Sequence, residues 1–178
     1  MALCVLLLAG FDARAAERFE IRSAFVEASA GVLLLHANLE FDRSEGARLA
    51  VRAGAPLSLD MEIVVRRSRS WWVDETVATL SQRYEVVYHA LSDRYLLRNV
   101  NSGEQNSYAT VDAAIAAMRG IDRLPILDQA LIKSGGRHEI SLRASIDVHT
   151  MPDVLRYIVF WADDWRQASE WYTWPLKL

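Results

Sequence analysis

The feature that most constrains this chain is a regular alternation of apolar and polar residues. In PLSLDMEIVVR, every odd position from Leu57 to Val65 is apolar, and polar residues fill most positions between them. HEISLRASIDV, which ends at Val148, repeats the pattern. Because successive side chains of a strand point to opposite faces, each stretch predicts a half-buried strand of an antiparallel sheet.

Two further stretches predict β-hairpins. Phe19, Ile21 and Phe25 are assigned to one face of a first strand, which a short Ala30-Gly31 turn connects to GVLLLHANLEF. In QRYEVVYHALSDRYLLRNV, Ser92-Asp93 supplies the turn between two alternating runs. The sequence therefore predicts a mainly β chain, a two-layer antiparallel β-sandwich of about seven to eight strands.

One or two short helices are expected beside the sheets. TVDAAIAAMRG has Thr110 as its N-cap, Asp112 in its first turn and Gly120 as its C-terminal stop. A weaker helical pattern runs from Ser44 to Gly54. No linker or repeat divides residues 16–178, which we interpret as a single domain.

The N-terminus has the pattern of a secretory signal. Ala2 to Phe11 is an apolar run about half as long as a membrane-spanning helix needs, and Ala13-Arg14-Ala15 follows it as a small-x-small cleavage site. We expect residues 1–15 to be a signal peptide and the protein to be periplasmic. The alternatives are an uncleaved membrane anchor and a buried first strand or helix.

Composition and cysteine content exclude several classes of function. The net charge of −3 gives no global positive field for nucleic acid. Cys4 is the only cysteine and lies within the predicted signal, so we expect no disulfide and no thiolate site in the mature chain.

No catalytic or metal-binding motif stands out. The four histidines, at positions 36, 89, 138 and 149, lack metal-site spacing, and the chain contains no nucleophile elbow, P-loop or dinucleotide-binding fingerprint. Asp74 and Glu75 are neighbours on an expected strand and would face opposite sides. We expect no catalytic residues, no metal and no cofactor.

The candidate binding residues are aromatic side chains near arginines. Arg67 lies near the end of an expected strand, and Trp71 and Trp72 follow it in RRSRSWWVDE. Trp174 lies in the aromatic C-terminal segment SEWYTWPL, where Pro175 indicates an edge strand. These tryptophans either fill the core or anchor a partner.

The chain resembles the proteobacterial family called domain of unknown function 4390. RSWWVDETVATLSQRYEVVYHALSDRYLLRN, TVDAAIAAM and SEWYTWPL carry the resemblance. It implies an exported or envelope-associated protein with no assigned activity, accessory to a membrane sensor kinase, and it supplies no catalytic residues.

Three functional hypotheses follow. The first is a non-catalytic envelope module that binds an inner-membrane or other envelope protein through an edge strand or aromatic patch. The second is a binder of a small apolar or amphipathic ligand between the β layers. The third is a hydrolase, which requires a histidine within about 3 Å of a carboxylate or hydroxyl in a cleft.

Overall fold

The computed structural model describes residues 19–41, 45–69, 74–132, 136–148 and 166–177. Within these ranges the chain forms strands packed as two antiparallel sheets, with two short helices. The strands are β1 (Glu20–Ser29), β2 (Val32–Glu40), β3 (Leu57–Ser68), β4 (Glu75–His89), β5 (Arg94–Asn99), β6 (Gln105–Tyr108), β7 (Gly120–Asp128), β8 (Arg137–Val148), β9 (Gln167–Ala168) and β10 (Tyr172–Leu176). The predicted two-layer antiparallel architecture is confirmed.

The two sheets differ in size. The smaller sheet has the order β1-β2-β7, and the larger has the order β10-β8-β3-β4-β5-β6, with β9 also paired to β8. The two stretches with the clearest alternation, in β3 and β8, are direct neighbours, paired from Leu57 opposite Val148 to Ser68 opposite Arg137. The strongest sequence pattern thus forms two adjacent interior strands of the larger sheet.

Both predicted hairpins are present. Ala30 (φ 51°) and Gly31 (φ 81°) form a two-residue turn between β1 and β2, with the left-handed backbone typical of a type I′ turn. Asp93 (φ 52°) lies in the turn between β4 and β5. Short turns of this kind connect the two strands of each hairpin and fix the register in which they pair.

One prediction for β1 is wrong. The pairing with β2 shifts between Ile21 and Ser23, so Arg22 is an extra residue in the strand, a β-bulge. Because a one-residue shift exchanges the two faces, Ala24 lies in the core while Phe25 is 55% exposed. Phe19 and Ile21 are buried as expected, whereas Phe25 lies on the opposite face.

The core lies between the two sheets. We call the face of each sheet that points to the other the inner face. The predicted inner-face residues of β3 (Leu57, Leu59, Met61, Ile63, Val65) and of β2 (Leu33, Leu35, Ala37, Leu39) are all buried, together with Phe41 after β2. Inner-face residues of β8 complete one continuous cluster that includes both sheets. Burial of this apolar surface is the main favourable term in folding.

The helices are α1 (Glu45–Arg52) and α2 (Val111–Met118). Thr110 is the N-cap of α2 as predicted, and its hydroxyl accepts a 3.1 Å hydrogen bond from the Ala113 N–H. Gly54 (φ 94°) follows α1, and its left-handed backbone ends the helix. Ser44, the predicted cap of α1, lies outside the described residues. Val111, Ile115 and Met118 attach α2 to the core.

Candidate functional site: the open edge of strand β1

The structure describes two of the four predicted binding residues, Arg67 and Trp174. Trp71 and Trp72 lie outside the described residues. Arg67 lies on the inner face near the end of β3, opposite Glu75 of β4 and His138 of β8. Its guanidinium is 3.7 Å from the Glu75 carboxylate, and its side chain covers Gly136. Arg67 is therefore held at one end of the larger sheet.

Trp174 lies on the inner face of β10, opposite Ile140 of β8. Its half-buried ring packs against the core, 5.6 Å from the ring of Tyr172. Trp171, on the other face, is 41% exposed. Arg67 and Trp174 therefore lie on the same face of the larger sheet, in adjacent rows of residues that run across its strands. Trp174 contributes to the core.

A sheet edge is the other predicted means of binding, and three of the four edges of the described sheets are obstructed or short. Edge strand β10 contains Pro175, which has no N–H to donate. Edge strand β7 contains Pro125, and its pairing with β2 shifts register twice. Edge strand β6 has only four residues. Proline, bulges and short length are the usual means of preventing strand addition.

The fourth edge of the described sheets is the side of β1 away from β2, and it is long. Strand β1 has ten residues and pairs with β2 on one side, while no described strand pairs with its other side. Because Ser29 and Val32 flank a two-residue turn, they form a hydrogen-bonded pair, and the pattern alternates from there. The N–H and C=O groups of Ala28, Val26 and Ala24 therefore point away from β2, available to an added strand.

An aromatic patch lies beside this edge on the outer face of the smaller sheet. The exposed Phe25 ring is stacked on the His36 ring of β2, with centroids 4.7 Å apart and planes 4° apart. His36 Nδ1 is 2.8 Å from Asp122 of β7, and His36 Nε2 is 3.5 Å from Glu27 of β1. Phe25 thus places an apolar ring beside the open edge. Its position is fixed by His36 of β2, which in turn contacts Glu27 of β1 and Asp122 of β7.

Ion pairs further fix β1 against its neighbours. The Arg22 guanidinium bonds to Glu40 of β2, and this hydrogen bond lowers the pKa of the Glu40 carboxyl. Arg123 of β7 donates to Glu27 at 2.9 Å. The edge is consequently preformed, which reduces the ordering that a binding strand must supply.

The histidines bear on the hydrolase hypothesis, which requires one of them within about 3 Å of a carboxylate or hydroxyl in a cleft. His36 Nδ1 lies 2.8 Å from the Asp122 carboxylate, and His89 Nδ1 lies 2.8 Å from the Ser92 hydroxyl. Neither histidine ring lines a cleft described here, whereas Asp122 lines the cleft beside α2. His138 is buried at the start of β8, and His149 lies outside the described residues. In the ranges that the structure describes, no group of three or more histidine, cysteine or acidic side chains could hold a metal.

A cleft of about 220 Å³ lies beside α2, where β4, β5 and β6 approach β7. Polar side chains form much of its wall: Tyr84, Asn99, Glu104, Asn106, Tyr108 and Asp122. Burial raises the pKa of the Tyr84 hydroxyl, partly offset by its hydrogen bond with Asn99. This cleft has the wrong lining for a purely apolar ligand.

The sequence pattern did not indicate that β1 is an open edge or that Phe25 is a surface residue. The signal available was the pair Ala24 and Val26, which continue an apolar alternation one residue out of phase with Ile21. Pro175, by contrast, correctly indicated that β10 is an edge strand.

Comparison with models of protein families identifies the family of the chain. The model of a protein family described as Domain of unknown function (DUF4390) matches residues 16–175. No curated protein and no solved structure matches the chain. Within the described residues, no helix is long and apolar enough to span a bilayer.

Proposed function

The chain belongs to the DUF4390 family, and from its geometry we propose that it is a non-catalytic interaction module of the cell envelope. It binds an extended segment of a partner protein along the open edge of β1. The partner segment adds a fourth strand to the smaller sheet, so main-chain hydrogen bonds give affinity and Phe25 favours an apolar partner side chain.

The observation that carries this proposal is the ten-residue strand β1, whose edge away from β2 has no partner strand among the described residues. A long, flat edge is a hazard for aggregation, and the other long edge, β7, is interrupted by Pro125 and two shifts of register. The bulge of β1 is at Arg22, so Ser23 to Ser29 forms a regular edge. Pairing with a partner strand requires free N–H groups along this edge, which explains why β1 contains no proline.

The interior of the sandwich favours a protein partner over a small apolar ligand. Large apolar side chains, including Leu33, Leu59, Ile63 and Leu142, fill the space where the sheets face each other. The described cleft beside α2 is small and largely polar. A ligand pocket between the layers would need a larger apolar cavity.

The proposed location is the periplasm, and the proposed partner class is an inner-membrane protein such as a membrane sensor kinase. The apolar run and small-x-small motif of residues 2–15 support export. Trp71 and Trp72 are proposed as additional anchors on the strength of their sequence context with Arg67.

The test changes only the edge. Ala28→Pro removes an N–H that points away from β2, so it blocks strand addition while it preserves the β1–β2 ladder. Ala28→Thr at the same exposed position keeps the N–H and suits a strand. After crosslinking in intact cells, the attached proteins are identified and quantified by mass spectrometry.

We expect Ala28→Pro to reduce capture of one specific envelope protein by roughly tenfold or more. The added strand loses its hydrogen bond from the Ala28 N–H, and the carbonyl of that strand which accepted the bond is left unpaired. Ala28→Thr should capture this protein as wild type does. Equal capture by the proline variant, with an unchanged circular dichroism spectrum, would refute binding at this edge.

A further inference from the structure

A groove crosses the outer face of the larger sheet, on the far side of the sandwich from the smaller one. It has a volume of about 570 Å³, within the usual size range of small-molecule sites. It runs across β4, β3 and β8 to the segment around β9. Three arginines line it: Arg83 of β4, Arg143 of β8 and Arg166 just before β9.

Arg83 forms a fixed wall of this groove. Its guanidinium donates two hydrogen bonds to the Asp60 carboxylate of β3, at 2.6 and 3.1 Å. Its backbone N–H donates to Asn101 Oδ1 at 2.8 Å, and its carbonyl accepts from the Val100 N–H at 2.8 Å. The Asp60 carboxylate therefore already neutralises the charge of Arg83.

Arg143 and Arg166 differ from Arg83 in having no such partner. Among the residues that the structure describes, no carboxylate lies within ion-pairing distance of either guanidinium. Glu62 is opposite Arg143 in the register of β3 and β8, yet the two side chains are not paired. This side of the groove consequently has two cations with free donors.

The backbone around these arginines is fixed by Ser169. The Ser169 hydroxyl accepts a 3.0 Å hydrogen bond from the Ala144 N–H, and the Ser169 N–H donates to the Ala144 carbonyl at 2.8 Å. Ser169 is only 4% exposed. It joins the short strand β9 to β8, so Arg166 is held beside the strand that carries Arg143.

We propose that this groove binds a small hydroxylated anion, a molecule or headgroup with a carboxylate or phosphate group. Guanidinium groups present planar pairs of N–H donors that match the oxygens of carboxylates and phosphates. Arg143 and Arg166 bind the anionic group. The Ser81 and Ser145 hydroxyls and the Glu62 carboxylate, which also line the groove, bind the hydroxyl groups.

The test is a nuclear magnetic resonance titration of the purified protein at constant ionic strength, maintained with chloride. The probes are inorganic phosphate, glucuronate, and phosphatidylcholine vesicles with and without phosphatidylglycerol. We expect saturable shifts of the amide signals of Arg143, Ser145 and Ala168. Saturation by phosphate or glucuronate identifies a soluble ligand, whereas a response only to anionic vesicles identifies a lipid headgroup.

Variants then separate a specific site from general charge. Arg143→Gln and Arg166→Gln should each weaken binding of the responding probe by about tenfold, the effect expected for one charge-assisted hydrogen bond. Arg66→Gln removes an exposed arginine from the same face of β3, outside the groove, and should leave binding unchanged. No saturable shift with any probe, or equal weakening by all three variants, overturns the proposal.

Discussion

At the scale of single residues, a few positions decide where regular strand geometry is broken. Arg22 adds a bulge that moves Phe25 to the surface, and Ser169 supplies a side-chain hydrogen bond where β9 and β10 separate. The change of phase at Ala24 and Val26 is the sequence's signal for the bulge, whereas the alternation does not reveal the Ser169 hydrogen bond, because that bond depends on a partner strand. A prediction of which side chains face the core therefore fails first at such positions.

Ser169→Ala tests the role of this hydroxyl in stability. The substitution leaves the buried Ala144 N–H without its side-chain acceptor, so we expect the free energy of unfolding to fall by about 1–3 kcal/mol. Urea denaturation followed by circular dichroism measures the change. Ser23→Ala, at an exposed position of β1, is the control and should change stability by less than about 0.5 kcal/mol. If the two variants are equally stable, the Ser169 hydrogen bond is unimportant.

At the scale of elements, hairpins and helix caps were predictable because their signals are local. Ala30-Gly31 and Ser92-Asp93 specify turns within a few residues, and Thr110 specifies a helix start. Strand β7 gave no comparable signal. It contains Pro125, which argues against a strand, and it is held by irregular pairing with the distant strand β2. Its identification requires the tertiary structure.

Thr110→Ala tests the cap of α2. Loss of the hydroxyl removes the hydrogen bond to the Ala113 N–H, so we expect the free energy of unfolding to fall by about 1 kcal/mol. Thr110→Ser keeps an acceptor oxygen and should remain within about 0.5 kcal/mol of wild type. Thermal unfolding of both variants provides the measurement. A serine variant as unstable as the alanine variant would show that the methyl group, not the cap, matters.

At the scale of the whole molecule, the sequence predicted the layers but not the order of the strands. Alternation in β3 and β8 identified half-buried strands, and both lie in the interior of the larger sheet. Which strands form the edges depends on which strands pair, and that is a non-local property. The candidate edge β1 and the arginine groove, assembled from β3, β4, β8 and the segment around β9, therefore emerged only with the structure.

The central claim, that the edge of β1 is open for a partner strand, is tested most directly by amide hydrogen exchange of the purified protein. Ala24, Val26 and Ala28 have N–H groups that point away from β2, whereas those of Phe25 and Glu27 point toward it. We predict fast exchange for the first three amides and slow exchange for the other two. Uniformly slow exchange along Ser23 to Ser29 would show that this edge is already covered and would contradict the proposed function.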